Sequence, residues 1–400
     1  MTHGIGGSSA GEELASIKPL AGRPPTMQPS VFEERLERVR GLMHAAGADA
    51  LLVGAGANLR YFANVGWEAT ERLVAMVVPR NGRPIIVCPT FELSSLHASL
   101  AIEGDIRSWQ EDESPAALVG HALREVDADT LALDPALPFG VFHALREIAP
   151  SLAVINATAL IDACRSVKSS SELACLSYAK SLTLAVHRAA ARILHDGITT
   201  GELRTFIDAM HRKMGADGGS TFCAVQFGQA TAYPHGIPGE QTLHENELVL
   251  IDTGCQILGY HSDITRTYIF GEPSPEQRRV WDIEHEAQAA AFAAVRPGIQ
   301  CEAIDRAARD VLERHGFGPG FVTPGLPHRT GHGIGLSIHE APYLVPGDRT
   351  SLLPGMCFSN EPMIVVPGRF GIRLEDHFHV TESGAAWFTQ PSPSIDAPFG

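Results

Sequence analysis

Residues 247–267 read Glu247-Leu-Val-Leu-Ile-Asp252-Thr-Gly-Cys-Gln-Ile-Leu-Gly-Tyr-His261-Ser-Asp263-Ile-Thr-Arg-Thr267, and the rest of the chain is best read outward from them. An apolar run ends on a carboxylate, and a second carboxylate follows eleven residues later. Three further acidic or imidazole residues sit in settings of the same kind: His332 in His328-Arg-Thr-Gly-His332-Gly-Ile-Gly335, Glu361 in Ser359-Asn-Glu361-Pro362, and Glu375 in Arg373-Leu-Glu375-Asp376. Four carboxylates and one imidazole can hold two divalent cations, with carboxylates bridging them. Oxygen-rich sets of this kind favour manganese over a thiolate-loving zinc site, although cobalt or zinc can substitute. A two-metal centre makes a nucleophilic hydroxide at neutral pH and polarises a carbonyl, which is what amide hydrolysis needs.

The surroundings repeat. Gly197-Ile198 opens a helical segment ending at Gly215, and Gly298-Ile299 opens another ending at Gly316, eighteen residues from glycine to glycine in both. An Ala-rich helix precedes each, over about 171–195 and 275–295. Thr199-Thr-Gly-Glu202 and Ser274-Pro-Glu-Gln277 have the form of capping boxes, the second with proline at the first helical position. Strand-like stretches follow each helix pair and carry Asp252 and Asp263 in the first half, Glu361 and Glu375 in the second. The pattern predicts a duplicated α-then-β unit, with helices covering one side of a curved antiparallel sheet and metals at its pseudo-twofold centre. Arg373 and Glu375 are two apart and share one face of an extended run, with Leu374 on the other.

Upstream, residues 1–28 are rich in Gly, Ser and Pro and read as a flexible arm. A helix over Pro29–Ala46 and alternating strand-like and helical stretches then predict a small α/β domain over 29–160, leaving 161–400 for the duplicated domain. The fold class is therefore α+β.

At 400 residues, with 44% hydrophobic composition, the chain has room for two domains with real cores. A net charge of −15 argues against nucleic acid or an anionic membrane surface as partner. The seven cysteines include no C-x-x-C pair and read as reduced core residues of a cytoplasmic protein. No apolar run reaches membrane-spanning length, and the N-terminus lacks a signal-peptide pattern.

The five ligand candidates in this order, with the Gly-His-Gly-Ile-Gly motif around His332, resemble the creatinase and aminopeptidase P-like metallopeptidases, the pita-bread family. The similarity covers nearly the whole chain beyond the arm and includes the small N-terminal domain, so within the family the chain looks most like a bacterial Xaa-Pro dipeptidase, a prolidase. The resemblance implies two metal ions per subunit, with Asp252 on one metal, Asp263 and Glu375 bridging, and His332 and Glu361 completing the second shell. It implies Glu361 as proton shuttle to the leaving prolyl nitrogen, and His235 and His339 as groups that stabilise the tetrahedral intermediate or bind substrate. It places His328 against the proline ring, and Arg373 beside site carboxylates or the substrate C-terminus. Proline-containing dipeptides are the expected substrates and a homodimer or homotetramer the expected assembly. An Xaa-Pro aminopeptidase acting on longer peptides, or a metal-using non-peptidase relative, is the alternative.

The sequence departs from the family at two places. Many aminopeptidase P-like members carry tyrosine four residues after the Glu361 position, where this chain has Val365, and the glycine common after Glu-Pro is Met363. His377 and His379 have no counterpart in the family pattern. Gly7-Ser-Ser9-Ala-Gly11 matches the elbow of serine hydrolases but lies in the arm, without the strand that such an elbow requires. Gly331, Gly333 and Gly335 miss the spacing of a phosphate loop, and close approach of backbone is the better reason for them.

Overall fold

A computed structural model describes residues 4–400, which divide into two compact units. One is Thr26–Arg165. The other joins the N-terminal stretch up to Pro25 with Ser166–Gly400.

The smaller unit is built on a six-stranded sheet in the order Asp105–Trp109, Ile85–Pro89, Ala75–Pro79, Ala50–Gly54, Thr130–Leu133, Ala153–Asn156. Its central ladders, Ala50–Gly54 with Ala75–Pro79 and the latter with Ile85–Pro89, are antiparallel, and the outer ones are parallel. The strands Ala50–Gly54 and Ala75–Pro79 are buried along their whole length, as continuous apolar runs require when helices cover both faces. The helix Pro29–Ala46 stands where its apolar spacing predicts, closed by Gly47 in the left-handed conformation.

The larger unit carries the duplication. Helices Ser170–Arg192 and Thr200–Met214 back an antiparallel sheet of Ser220–Phe227, Glu247–Ile257 and Ile264–Phe270. Helices Pro275–Ala294 and Cys301–Arg314 pack with a five-stranded sheet in the order Glu340–Leu344, Gly331–Gly333, Cys357–Asn360, Asp376–Val380, Ala385–Trp387, and with the hairpin Met363–Val366/Phe370–Arg373. Both capping boxes form: Thr199 accepts from the Glu202 amide, and Ser274 from that of Gln277. Each half has its own apolar core, one around Leu182, Ile207, Met210 and Ile251, the other around Trp281, Ile304, Phe358 and Ile372.

The halves meet along Ile264–Phe270. There the Glu375 amide donates to the Thr265 carbonyl at 3.0 Å, and the Thr267 hydroxyl donates to the Arg373 carbonyl at 2.8 Å. Arg266 and Asp376, both fully buried, pair across the same seam at 2.7 Å.

The stretch expected to be a flexible arm is instead part of this unit. Ala10–Ser16 is a helix, Glu13 pairs with Arg192, and Ile5, Leu14, Ile17 and Leu20 pack against the first core. Its apolar residues are too sparse to show periodicity, and their partners lie about 180 residues away, so composition alone read them as loose. Ser9, in the serine-hydrolase look-alike, is the N-cap of this helix in a capping box with Glu12. No helix among the described residues is long and apolar enough to cross a membrane, and the cysteines are free thiols.

Candidate active site

Two antiparallel ladders supply the ligand candidates. Asp252 lies on the long strand Glu247–Ile257, and Asp263 immediately precedes the partner strand, whose Thr265 is the register partner of Asp252. His332 is the middle residue of the short strand Gly331–Gly333. Glu361 follows Cys357–Asn360, and Glu375 sits between Phe370–Arg373 and Asp376–Val380. The glycines flanking His332 are there for space: a Cβ on Gly331 would stand 2.1 Å from the Ser359 carbonyl oxygen, and one on Gly333 2.5 Å from that of Glu340.

The five side chains converge. Single donor atoms of Asp252, Asp263 and Glu375 lie within 4.8 Å of one another, as do those of His332, Glu361 and Glu375, and those of Asp263, His332 and His339. Asp252 Oδ1, Asp263 Oδ1, Glu375 Oε1 and His332 Nε2 are all buried without a hydrogen-bond partner. Orphaned buried acceptors are costly, and four around one point call for a cation.

Neighbouring groups aim the donors. His332 Nδ1 lies 2.9 Å from the Gly333 carbonyl, which can only accept, so the proton is on Nδ1 and the Nε2 lone pair faces the site. The His332 amide donates to Ser359 Oγ at 2.8 Å, and Ser359 Oγ donates to Glu361 Oε1 at 3.1 Å. Thr265 Oγ1 donates to Glu375 Oε2 at 2.8 Å and accepts from Arg373 Nε at 3.1 Å. Arg373 Nη2 donates to Asp252 Oδ2 at 2.5 Å, and Nη1 to the Pro234 carbonyl at 3.3 Å.

Electrostatics tell the same story. Burial, then the charges of Glu375, Asp252 and Glu361, pushes Asp263 well above the usual carboxylate range. Burial, then Glu361 and Asp252, does the same to Glu375. Burial opposes ionisation of Glu361 too, but the adjacent His332, with His328 and Arg373, outweighs it and holds Glu361 low. Repelling carboxylates with one guanidinium among them are what divalent cations relieve.

Outside this cluster opens a cavity of about 550 Å3 lined by Pro234, His235, Pro327, His328, Arg329, His339, Val345, Glu361 and Arg373. His235, His328 and His339 therefore border one space, with His235 and His339 exposed and His328 half-buried. The His339 ring meets the His332 ring edge-on at 4.3 Å. A larger cavity of about 800 Å3, between the helix Ala10–Ser16 and Thr200–Met214, holds none of these residues.

Val365 does not border the site. It is buried, and its backbone pairs with Gly325 in both directions. His377 is fully buried with both ring nitrogens unpartnered, its Nε2 3.8 Å from Glu375 Oε1, whereas His379 packs against Phe388.

Sequence reasoning missed Thr265, Ser359 and the support of the His328 loop. Arg309 is held by Asp305 at 2.7 Å and donates to the His328 carbonyl at 2.6 Å, while Asp305 accepts from both the amide and hydroxyl of Thr330. Thr265 could have been found, since alternation along a strand puts it on the face of Asp263. Asp305 and Arg309 gave no sign beyond helical spacing.

The model for Metallopeptidase family M24 matches residues 174–382, and that for the Creatinase/Prolidase N-terminal domain matches residues 35–167. The chain is 38% identical to a probable dipeptidase, PepE, of Mycobacterium tuberculosis, over 89% of this chain and 93% of that one. It is 32% identical to an Xaa-Pro dipeptidase of Lactobacillus helveticus, over 90% and 98%. Among solved structures, dipeptidase PepE from Mycobacterium ulcerans superposes with a TM-score of 0.83 at 34% identity, covering 94% of this chain and 99% of that one. The prolidase from Thermococcus sibiricus gives 0.84 at 29% identity, covering 92% and 98%.

Proposed function

This chain belongs to metallopeptidase family M24, with the pita-bread catalytic domain of that family, and from that premise we propose that it hydrolyses the Xaa-Pro bond of dipeptides at a dinuclear metal centre. The observation that carries the reading is the convergence of Asp252, Asp263, His332, Glu361 and Glu375, with their unpartnered atoms, at the floor of one cavity. Glu375 and Asp263 are each shared between two of the close donor groups, as bridging ligands would be. The relatives named Xaa-Pro dipeptidase and prolidase support the choice of bond.

Bound by these residues, two divalent ions, manganese first by ligand hardness, supply Lewis-acid polarisation of the scissile carbonyl and a deprotonated water as nucleophile. The chain's own groups do the remaining work. Glu361 touches both the ligand cluster and the cavity, and its ionised state suits it to take the proton from the nucleophile and deliver it to the leaving nitrogen. The prolyl nitrogen must receive a proton to leave as an amine. His339 and His235, at the cavity wall, are placed to donate to the developing oxyanion. Burial keeps His328 neutral, and Nδ1–H donation to the Arg329 carbonyl at 2.7 Å orients its ring toward the space a proline would fill. The Arg373 guanidinium is already committed to Asp252, Thr265 and Pro234, so its part is to position a ligand rather than to receive the substrate.

The test is hydrolysis of Ala-Pro, Leu-Pro and Ala-Pro-Ala by metal-stripped protein, with and without added Mn2+. Manganese-dependent cleavage of the dipeptides alone is expected. Cleavage of the tripeptide too would shift the reading to an Xaa-Pro aminopeptidase, and cleavage of none would remove the peptidase reading.

A further inference from the structure

With Arg373 committed to Asp252, the cavity keeps one cation without an acidic partner. Arg329 lines the cavity, and among the described residues its guanidinium meets no carboxylate and donates no hydrogen bond within the protein. It is not loose, however. Its guanidinium carbon lies 4.5 Å from the centre of the Tyr343 ring. Tyr343 is the register partner of His332 in the ladder between Gly331–Gly333 and Glu340–Leu344. Arg329 is also three residues before His332, on the loop that Arg309 and Asp305 hold. Two independent connections therefore set this cation at a fixed offset from a metal ligand.

A stacked guanidinium keeps its fork of donors pointing outward at little conformational cost, and that fork matches a carboxylate with two parallel hydrogen bonds. An unpaired cation at the wall of a half-enclosed cavity is a receptor for an anion brought by the ligand. We propose that Arg329 is the carboxylate anchor of this site and that its offset from His332 selects substrates with a free carboxylate close to the scissile bond. The inference rests on the peptidase reading above and gives it a physical basis for preferring dipeptides. A carboxylate could come from the substrate C-terminus or from an acidic side chain, and the substrates below separate the two.

Metal-loaded wild type, Arg329→Met and Arg329→Lys are compared on Ala-Pro, Ala-Pro amide and Glu-Pro. Arg329→Met is expected to raise KM for Ala-Pro by roughly 10- to 100-fold with kcat little changed, the scale of one lost charge-assisted interaction. Lysine at 329 restores part of the affinity. If the C-terminus is the bound group, amidation costs the wild type about as much and the methionine variant nothing more. If it is the side chain, the variant loses only an advantage of Glu-Pro over Ala-Pro. Unchanged KM for both acids in Arg329→Met overturns the proposal. Calorimetric titration with N-acetylproline makes the test independent of turnover: binding to wild type but not to Arg329→Met supports the anchor, and equal binding or none overturns it. Absence of all hydrolysis with binding intact would instead count against the peptidase reading.

Discussion

Thr265 shows how much of this site hangs on single uncharged side chains. Its hydroxyl joins Arg373 to Glu375, and its carbonyl accepts the Glu375 amide, so one residue orients a ligand carboxylate and the cation that orients Asp252. Thr265→Val preserves shape and removes the hydroxyl. The expected result is a folded protein whose metal affinity falls by roughly 10- to 100-fold, the cost typical of losing an outer-shell partner. Metal-binding titration against a chromogenic chelator measures it, and unaltered affinity would show that the ligands hold themselves. Arg373 teaches the complementary lesson: its place beside the ligands was legible from spacing, but the group it serves, Asp252 at 2.5 Å, was not.

Among the elements, the helix Thr200–Met214 buries a histidine as well as apolar residues. His211 is fully buried, its Nδ1 2.9 Å from Ser220 Oγ and its Nε2 3.2 Å from Thr183 Oγ1, and burial lowers its pKa from 6.5 to about 4. The unfolded chain therefore binds a proton below pH 6.5 that the folded chain refuses until about pH 4, and stability falls as pH drops through that window. Linkage puts the His211 share at about 2 kcal/mol between pH 7 and pH 5. Urea unfolding of metal-free His211→Gln should lose that much less stability than wild type over the same interval. Parallel loss in both proteins would mean that other groups, His187 among them, carry the acid sensitivity. The capping boxes at Thr199 and Ser274 were readable in advance, because a cap depends only on residues three apart.

For the molecule as a whole, the ligand cluster sits where the two halves of the larger unit are sewn together. Asp252 and Asp263 come from one half, and His332, Glu361 and Glu375 from the other. A bound ion ties the halves in addition to the Thr265–Glu375 and Arg266–Asp376 links, so metal should stabilise the fold and not merely activate it. Mass action gives about 2.7 kcal/mol of added stability at a metal concentration 100 times the Kd. Thermal unfolding should shift upward with added Mn2+ and downward with chelator, and Asp263→Ala should abolish the shift. An unfolding temperature indifferent to metal in the wild type would count against ion binding at this seam.

The sequence by itself determined the parts whose signals are local. Apolar periodicity, caps and the eighteen-residue glycine echo set the helix pairs, and five ligand residue types in local strand and turn settings marked the metal candidates. Only the tertiary structure decided which groups meet. It seated the helix Ala10–Ser16 against the first core, buried Val365 away from the site, engaged Arg373 with Asp252 and left Arg329 unpaired over Tyr343. The reason is physical: a periodicity or a cap is encoded within a few neighbouring residues, whereas an ion pair between residues 121 positions apart exists only once the chain has folded back on itself.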